Sequence, residues 1–282
     1  MVNKLHIDPL GATRQLGKRG ALKQATFLQL KKNPELLSVE SPFEVLLAKL
    51  ADLSNAVTQI DYQPFTVDVV NERMLLNHAQ LQTHRQKLKE SGMEGVFYTP
   101  DLRFRWRTPK GNVDEVIEAK DVNWVPSLGD EYTDKLLHTR ALLAQRGIQF
   151  GLYAAGVTEL YLWALVSNVN KLHALMLRRK DAMNTLSPDY LQYLEHQDAL
   201  LACVRAEPTV SLAQLAKRFE MTLWATWHLL IDELVSVDLW CAPLGPQTTG
   251  VDAGNAPEEP ALFRRSMLAM RNTSWEVLCK DN

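Results

Sequence analysis

Three side chains stand out for the chemistry they could do together: Asp101, Glu118 and Lys120, carried by "FYTPDLRFRWRTPKGNVDEVIEAKD" between Phe97 and Asp121. The segment alternates apolar and polar residues on either side of Pro109–Gly111, which is the pattern of a β-hairpin. Residues two apart on a strand share a face, so Glu118 and Lys120 point one way and Ile117 and Ala119 the other. With the turn centred on Pro109 to Gly111, Asp101 falls opposite Lys120 and Arg103 opposite Glu118, and the three groups share one surface. Neighbouring carboxylates repel, and a cation between them resolves the conflict. Mg²⁺ takes a few carboxylate oxygens, keeps several waters and can acidify one of them beside a phosphate. Lys120 could then orient that water or stabilise charge growing on the phosphate. The same residues also fit a ladder of ion pairs, Asp101 with Lys120 and Glu118 with Arg103, each contributing about 0.2–1 kcal/mol.

Glu44 is a third carboxylate, one helix upstream. Ser41-Pro42-Phe43-Glu44 fits a capping box, in which the glutamate serves the start of that helix, so its role is open from spacing alone.

The elements that must position these groups can be read in order. "SPFEVLLAKLADLSN" carries a cap at Ser41, proline at the first helical position and apolar residues at helical spacing, predicting a buried helix over 42–53. "VTQIDYQPFTVDVV" predicts extended chain, and the polar stretch 71–95 a helical or loosely ordered insertion. After the hairpin, "VPSLGDEY" predicts a loop, and "TDKLLHTRALLAQRG" a helix capped at Thr133 and stopped at Gly147. "IQFGLYAA" is a strand that can return parallel to the one before the helix, so the region is an α/β layer.

Beyond Val157 the pattern becomes helical. Within it, "TVSLAQLAKRFEMTLWATWHLLIDELVSVDLW" predicts a helix from about Ser211, a turn at Phe219–Met221, a second helix over 222–234 and a strand, the order of a winged-helix unit. Its second helix offers Trp224, Trp227 and His228 where a DNA reader would offer Arg, Lys, Asn or Gln, and Thr209–Trp240 carries a net charge of −2. Protein contact is therefore expected over phosphate contact. The expected organisation is a basic arm over 1–37, a catalytic α/β domain over 38–156, a helical winged-helix-like domain over 157–240 and a flexible Gly/Pro/Thr-rich tail over 241–282.

The 282 residues carry a net charge of −2, so no global field draws the chain to nucleic acid or acidic membranes. The first forty residues carry a local +4. Cys203, Cys241 and Cys279 are too far apart for a zinc site, which points to a reduced cytoplasmic setting. The sequence has neither an apolar signal core nor a run of 18 apolar residues, so membrane spanning is not expected.

"TPD" followed by "IEAK" resembles the metal-binding core of the restriction-endonuclease-like nucleases, whose motif is Pro-Asp, a spacer, then Asp/Glu-x-Lys. Taken in order, "SPFEVLLAKLADLSNAVTQIDYQPF", "YTPDLRF", "EVIEAKD" and "LLAQRGIQFGLYAAG" are similar to TnsA, the endonuclease subunit of heteromeric transposases, over about residues 38–156. The resemblance implies a restriction-endonuclease-like mixed sheet flanked by helices, and a Mg²⁺ site, which Mn²⁺ can also fill with one or two ions. It assigns metal binding to Glu44, Asp101, Glu118 and the Ala119 carbonyl, with Lys120 beside them as the fourth catalytic residue. The implied partners are transposon-end DNA, a TnsB-like transposase and a TnsC-like ATPase regulator, the last contacted through the C-terminal region. Two departures are visible: Glu118-Ala119-Lys120-Asp121 replaces the usual E-V-K-P or Q-V-K-P, and the 71–95 insertion is long. A stand-alone restriction or repair nuclease, and a non-catalytic winged-helix adaptor, are the other functions the residues allow.

Overall fold

The computed structural model describes residues 26–33, 35–121, 130–155, 160–180, 185–255 and 260–280. Its contacts group into two units, one of residues up to Ala48, Val57–Ala155 and Arg271 onward, the other of Lys49–Ala56 and Gly156–Met270. The expected basic arm up to residue 25 and residues 125–129 of the expected loop lie outside the described residues.

In the first unit, β1 (Thr26–Leu28) and β2 (Leu37–Val39) form an antiparallel pair, so the last part of the expected arm is strand. α1 (Pro42–Leu53) begins where Ser41 and Pro42 predict, and its residues from Lys49 belong to the second unit. The extended run after it divides into β3 (Val57–Tyr62) and β4 (Thr66–Asp68), because Gln63 adopts a left-handed φ of 44° and turns the chain. β5 (Arg73–Leu75), α2 (His78–Ser91) and β6 (Phe97–Tyr98) follow. The sequence of this part continues through β7 (Leu102–Thr108), β8 (Gly111–Asp121), α3 (Asp130–Gln145) and β9 (Gln149–Ala155). The main sheet runs β3-β7-β8-β9, antiparallel except for β9, which lies parallel to β8 across the α3 connection as expected. A second sheet runs β5-β4-β6.

The polar insertion is an ordered helix. The Asn77 side chain accepts from the Gln80 N–H at its start, Gly92 ends it at φ 66°, and Leu81, His84 and Leu88 supply its buried side. His84 Nε2 lies 2.7 Å from Asp68 Oδ2, which ties the helix to β4. α3 starts at Asp130, so Thr133 is a buried helical residue and not the expected cap. A core of Phe65, Val67, Tyr98, Val116, Leu136, Leu142, Leu143 and Phe150 joins both sheets to α3. It places Val116, two residues before Glu118, on the face that α3 covers.

The second unit holds α4 (Leu160–Leu177), α5 (Pro188–Ala206), α6 (Leu212–Arg218), α7 (Leu223–Thr226), α8 (His228–Ile231), β10 (Val235–Ser236) and β11 (Val251–Asp252). α9 (Leu262–Lys280) contributes to it as far as Met270. Ser211 and Thr222 cap α6 and α7 as their sequence positions suggest. The expected second helix breaks at Trp227 into α7 and α8, and β10 pairs antiparallel with β11. Trp227 is buried, whereas Trp224 is 48% exposed.

The segment from 241, expected as a flexible tail, instead contains β11 and α9. Leu244, Leu262, Phe263, Met267 and Met270 are buried; the Gly/Pro/Thr-rich composition before residue 261 leaves no period, whereas Phe263, Met267 and Met270 follow a helical spacing that the expected tail passed over. Asn168, fully buried on α4, fastens the start of this segment. Its Nδ2 donates to the carbonyls of Leu239 and Ala242 at 2.9 Å each, and its Oδ1 accepts from the Leu244 N–H at 2.7 Å. Asn168→Ala is expected to cost about 2–3 kcal/mol, since three backbone groups, two of them buried, lose their partner. A urea-denaturation midpoint within error of wild type would refute that role.

Candidate functional site

The β7–β8 turn is tighter than the sequence suggests. Thr108 pairs with Gly111 and Leu102 with Ile117, which leaves Pro109 and Lys110 as the two-residue loop. The correction moves each expected partner by two positions, so Arg103 faces Val116 and not Glu118. Because the shift is even, it preserves which face each residue uses. The Asp101 N–H donates to the Ile117 carbonyl (3.1 Å), continuing the ladder and setting Asp101 opposite Glu118.

The ion-pair ladder forms elsewhere. Arg103 pairs with Asp61 at 2.7 Å, and Arg105 with Asp114 at 2.7 Å. Neither arginine neutralises Glu118. Lys120 does, through an ion pair to Oε1.

Glu44, Asp101, Glu118 and Lys120 form one electrostatic group. Burial, then the charges of Glu118 and Glu44, push the Asp101 carboxyl well above the usual range. Burial is also the main influence raising Glu44, with Glu40 and Glu118 adding to it against hydrogen bonds from Glu40 and Ser41. Burial opposes the charge on Lys120, but Glu118 and Asp101 outweigh it and hold the ammonium protonated well above its ordinary range.

Each carboxylate has a donor fixing one oxygen. The Ala119 N–H donates to Asp101 Oδ2 at 2.8 Å. The Glu44 N–H donates to Ser41 Oγ at 3.1 Å, while the Glu44 carboxylate takes the Glu40 N–H at 3.0 Å through Oε2. Glu44 therefore does help close the helix start, one residue further out than a capping box requires, and joins the acidic group at the same time. Among the described residues, Glu44 Oε1 and Asp101 Oδ1 receive no hydrogen bond.

Two residues escaped the sequence reading. The Tyr98 hydroxyl donates to Glu118 Oε2 and the Tyr132 hydroxyl to Oε1, both at 2.5 Å. Burial and Glu118 raise both phenols, so each is a neutral donor at any physiological pH. Tyr98 lies three residues before Asp101 in "FYTPD", and that proximity was the available signal. Tyr132 had none, because its approach depends on how α3 packs.

The candidate ligands are oxygens of the kind Mg²⁺ prefers, and two carboxylate oxygens take no hydrogen bond from the described residues, so the residue types fit a hard cation. Among the described residues, however, no group of three or more His, Cys, Asp or Glu side chains stands in metal-holding geometry. The fit is thus one of chemistry and electrostatics, with Glu118 engaged by its three donors. A cavity of about 350 Å³ lined by Arg140, Ala144, Gly147, Ile148, Gln149, Phe150 and Arg271 borders the start of β9. Glu118 pairs with Leu152 farther along that strand, so the cavity is separate from the acidic group. Among the described residues, no helix is long and apolar enough to cross a membrane. No family model and no curated protein matches the chain.

Proposed function

We propose that this chain is a Mg²⁺-dependent DNA endonuclease with a restriction-endonuclease-like first unit, acting as the subunit of a heteromeric transposase that cuts the 5′ ends of the element. The supporting observation is the convergence of Glu44, Asp101, Glu118 and Lys120, drawn from α1, the start of β7 and the end of β8, into one electrostatically coupled group. Structural ion pairs seldom bring two further acids within electrostatic reach of the carboxylate that a lysine pairs with, whereas metal-dependent phosphodiester hydrolysis suits such a group.

Glu44, Asp101, Glu118 and the Ala119 carbonyl would hold Mg²⁺ or Mn²⁺, which when bound supplies Lewis acidity to the attacking water and the phosphate oxygen. Glu118 and Asp101 favour the protonated form of Lys120, which suits a hydrogen-bond donor better than a general base. Its role is to donate a hydrogen bond to the attacking water and to offset charge on the phosphate. Tyr98 and the Ala119 N–H keep the Glu118 and Asp101 carboxylates oriented.

The helix–turn–helix and β10–β11 ribbon of the second unit support a winged-helix reading, and the exposed Trp224 suits a protein partner such as a TnsC-like ATPase regulator. Transposon-end DNA and a TnsB-like transposase complete the proposed assembly. With a net charge of −2, the isolated chain would bind DNA weakly and act when others place it.

The full engagement of Glu118 favours a second reading, a non-catalytic adaptor in which the Lys120 pair is structural. A strand-resolved excision assay with the transposase and ATPase encoded beside this chain separates them. Asp101→Ala is expected to abolish 5′ cuts and leave 3′ cuts intact; unchanged cutting on both strands would favour the adaptor.

A further inference from the structure

Glu118 is crowded in an uneven way. Oε1 accepts from both Tyr132 and Lys120, which uses the two lone pairs that oxygen can offer, whereas among the described residues Oε2 accepts from Tyr98 alone. Hydrogen bonds of 2.5 Å to a carboxylate are short and charge-assisted, so neither tyrosine is a passive neighbour. A cation that binds through Oε1 must displace one of its two donors.

The two tyrosines differ in freedom. Tyr98 is 4% exposed, belongs to the core that joins the two sheets, and sits edge-on to Phe150 at 6.1 Å. It has no room to withdraw. Tyr132 is half-buried in the first turn of α3, so rotation about its side-chain bonds can carry the hydroxyl toward solvent. Its ring lies 5.5 Å from Lys120 Nζ and 5.6 Å from Lys135 Nζ, cationic contacts that favour the inward position.

We propose that Tyr132 is a gate on Glu118, competing with the divalent cation for Oε1 and setting how tightly the site holds it, while Tyr98 is the positioning residue that keeps the carboxylate aimed. This inference rests on the metal-dependent reading of the site. It predicts opposite effects from removing two chemically identical hydroxyls: one removal frees a ligand atom, and the other lets the ligand turn.

The test is calorimetric titration with Mn²⁺ alone, and separately with Mg²⁺, on the full chain. Tyr132→Phe is expected to bind Mn²⁺ about tenfold more tightly than wild type, the effect of one charge-assisted hydrogen bond the ion no longer breaks. Tyr98→Phe is expected to bind several-fold more weakly, with its melting temperature recorded to separate disorder from misaiming. A gain in affinity cannot come from damaged folding, so the Tyr132→Phe result carries the test. If wild type binds Mn²⁺ and Asp101→Asn does not, yet Tyr132→Phe gains nothing, the gate is overturned and the metal site stands. If neither wild type nor Tyr132→Phe takes up either ion, the metal reading fails and takes the gate with it. Binding by Tyr132→Phe where wild type shows none would be the strongest form of the expected result.

Discussion

Asp101→Asn is expected to remove 5′ cutting and to make the protein more stable. The loss should be at least about a hundredfold, the scale for deleting one electrostatic contributor to a transition state. The gain follows from what Asp101 endures in the fold: burial, Glu118 and Glu44 all disfavour its charge, while Lys120 and the Ala119 N–H only partly compensate. Asparagine keeps an oxygen for the Ala119 N–H and removes the charge, so stability at neutral pH should rise by about 1 kcal/mol, or a few degrees in melting temperature. The pH dependence has a definite sign. A carboxyl whose pKa is raised on folding binds its proton more tightly when folded, so its cost is present at neutral pH and is relieved as the pH falls toward the ordinary carboxylate range. The advantage of Asp101→Asn over wild type should therefore shrink over that interval. The comparison must be a difference between variants, because burial pushes His228 down to about 3 and costs the fold stability below its ordinary value of 6.5. Paired melts from pH 8 to pH 5 decide it: a stability gap that does not narrow on acidification would mean Asp101 bears no excess charge cost.

Those two results together, a site costly to keep ionised and needed for cutting, would be what a functional constellation looks like in thermodynamic terms. Its outline was legible in the sequence because strand alternation depends only on parity. Asp101, Glu118 and Lys120 share a face under either turn length, so the misjudged loop left the grouping intact. What parity could not reveal was which cation each carboxylate would meet. Arg103 went to Asp61 because β7 lies between β3 and β8, with Asp61 directly across on β3 and the apolar Val116 across on β8, and strand order is a tertiary fact. The same holds for Tyr132, brought in by α3, and for the two dimensions of Glu44, which sequence spacing described as a cap and packing joined to the acids. In the second unit, capping residues marked helix starts well, whereas β11 lies in a Gly/Pro/Thr-rich stretch that left no period, and α9, whose Phe263, Met267 and Met270 keep helical spacing, was overlooked behind it.

Arg271→Ala is expected to be among the most destabilising single changes in the first unit. Glu115 leaves the face of β8 opposite Glu118 and is 3% exposed. Its Oε1 meets Arg271 Nε at 3.1 Å, and its Oε2 accepts from Trp106 Nε1 at 2.8 Å and the Tyr153 hydroxyl at 3.2 Å. Gly151 makes room for this arrangement, since a Cβ there would come within 2.9 Å of Glu115 Oε1 and 2.8 Å of the Tyr153 ring. Removing the guanidinium leaves the carboxylate buried without it, a change that costs about 3–5 kcal/mol at fully buried pairs. The lower end applies here, because the Arg271 side chain keeps 29% exposure. The double variant Arg271→Ala/Glu115→Gln is expected to recover most of the loss, because a neutral amide can still accept from Trp106 and Tyr153 without a charge to offset. Urea denaturation of the wild type, both single variants and the double variant gives the coupling directly. A deficit under 0.5 kcal/mol for Arg271→Ala would reduce the pair to a surface contact of ordinary worth. Recovery in the double variant would instead show that α9 holds β8 through this charge. Glu118 lies three residues along the same strand, so the acidic face proposed to be catalytic would then depend on an ion pair made on the other side of the sheet.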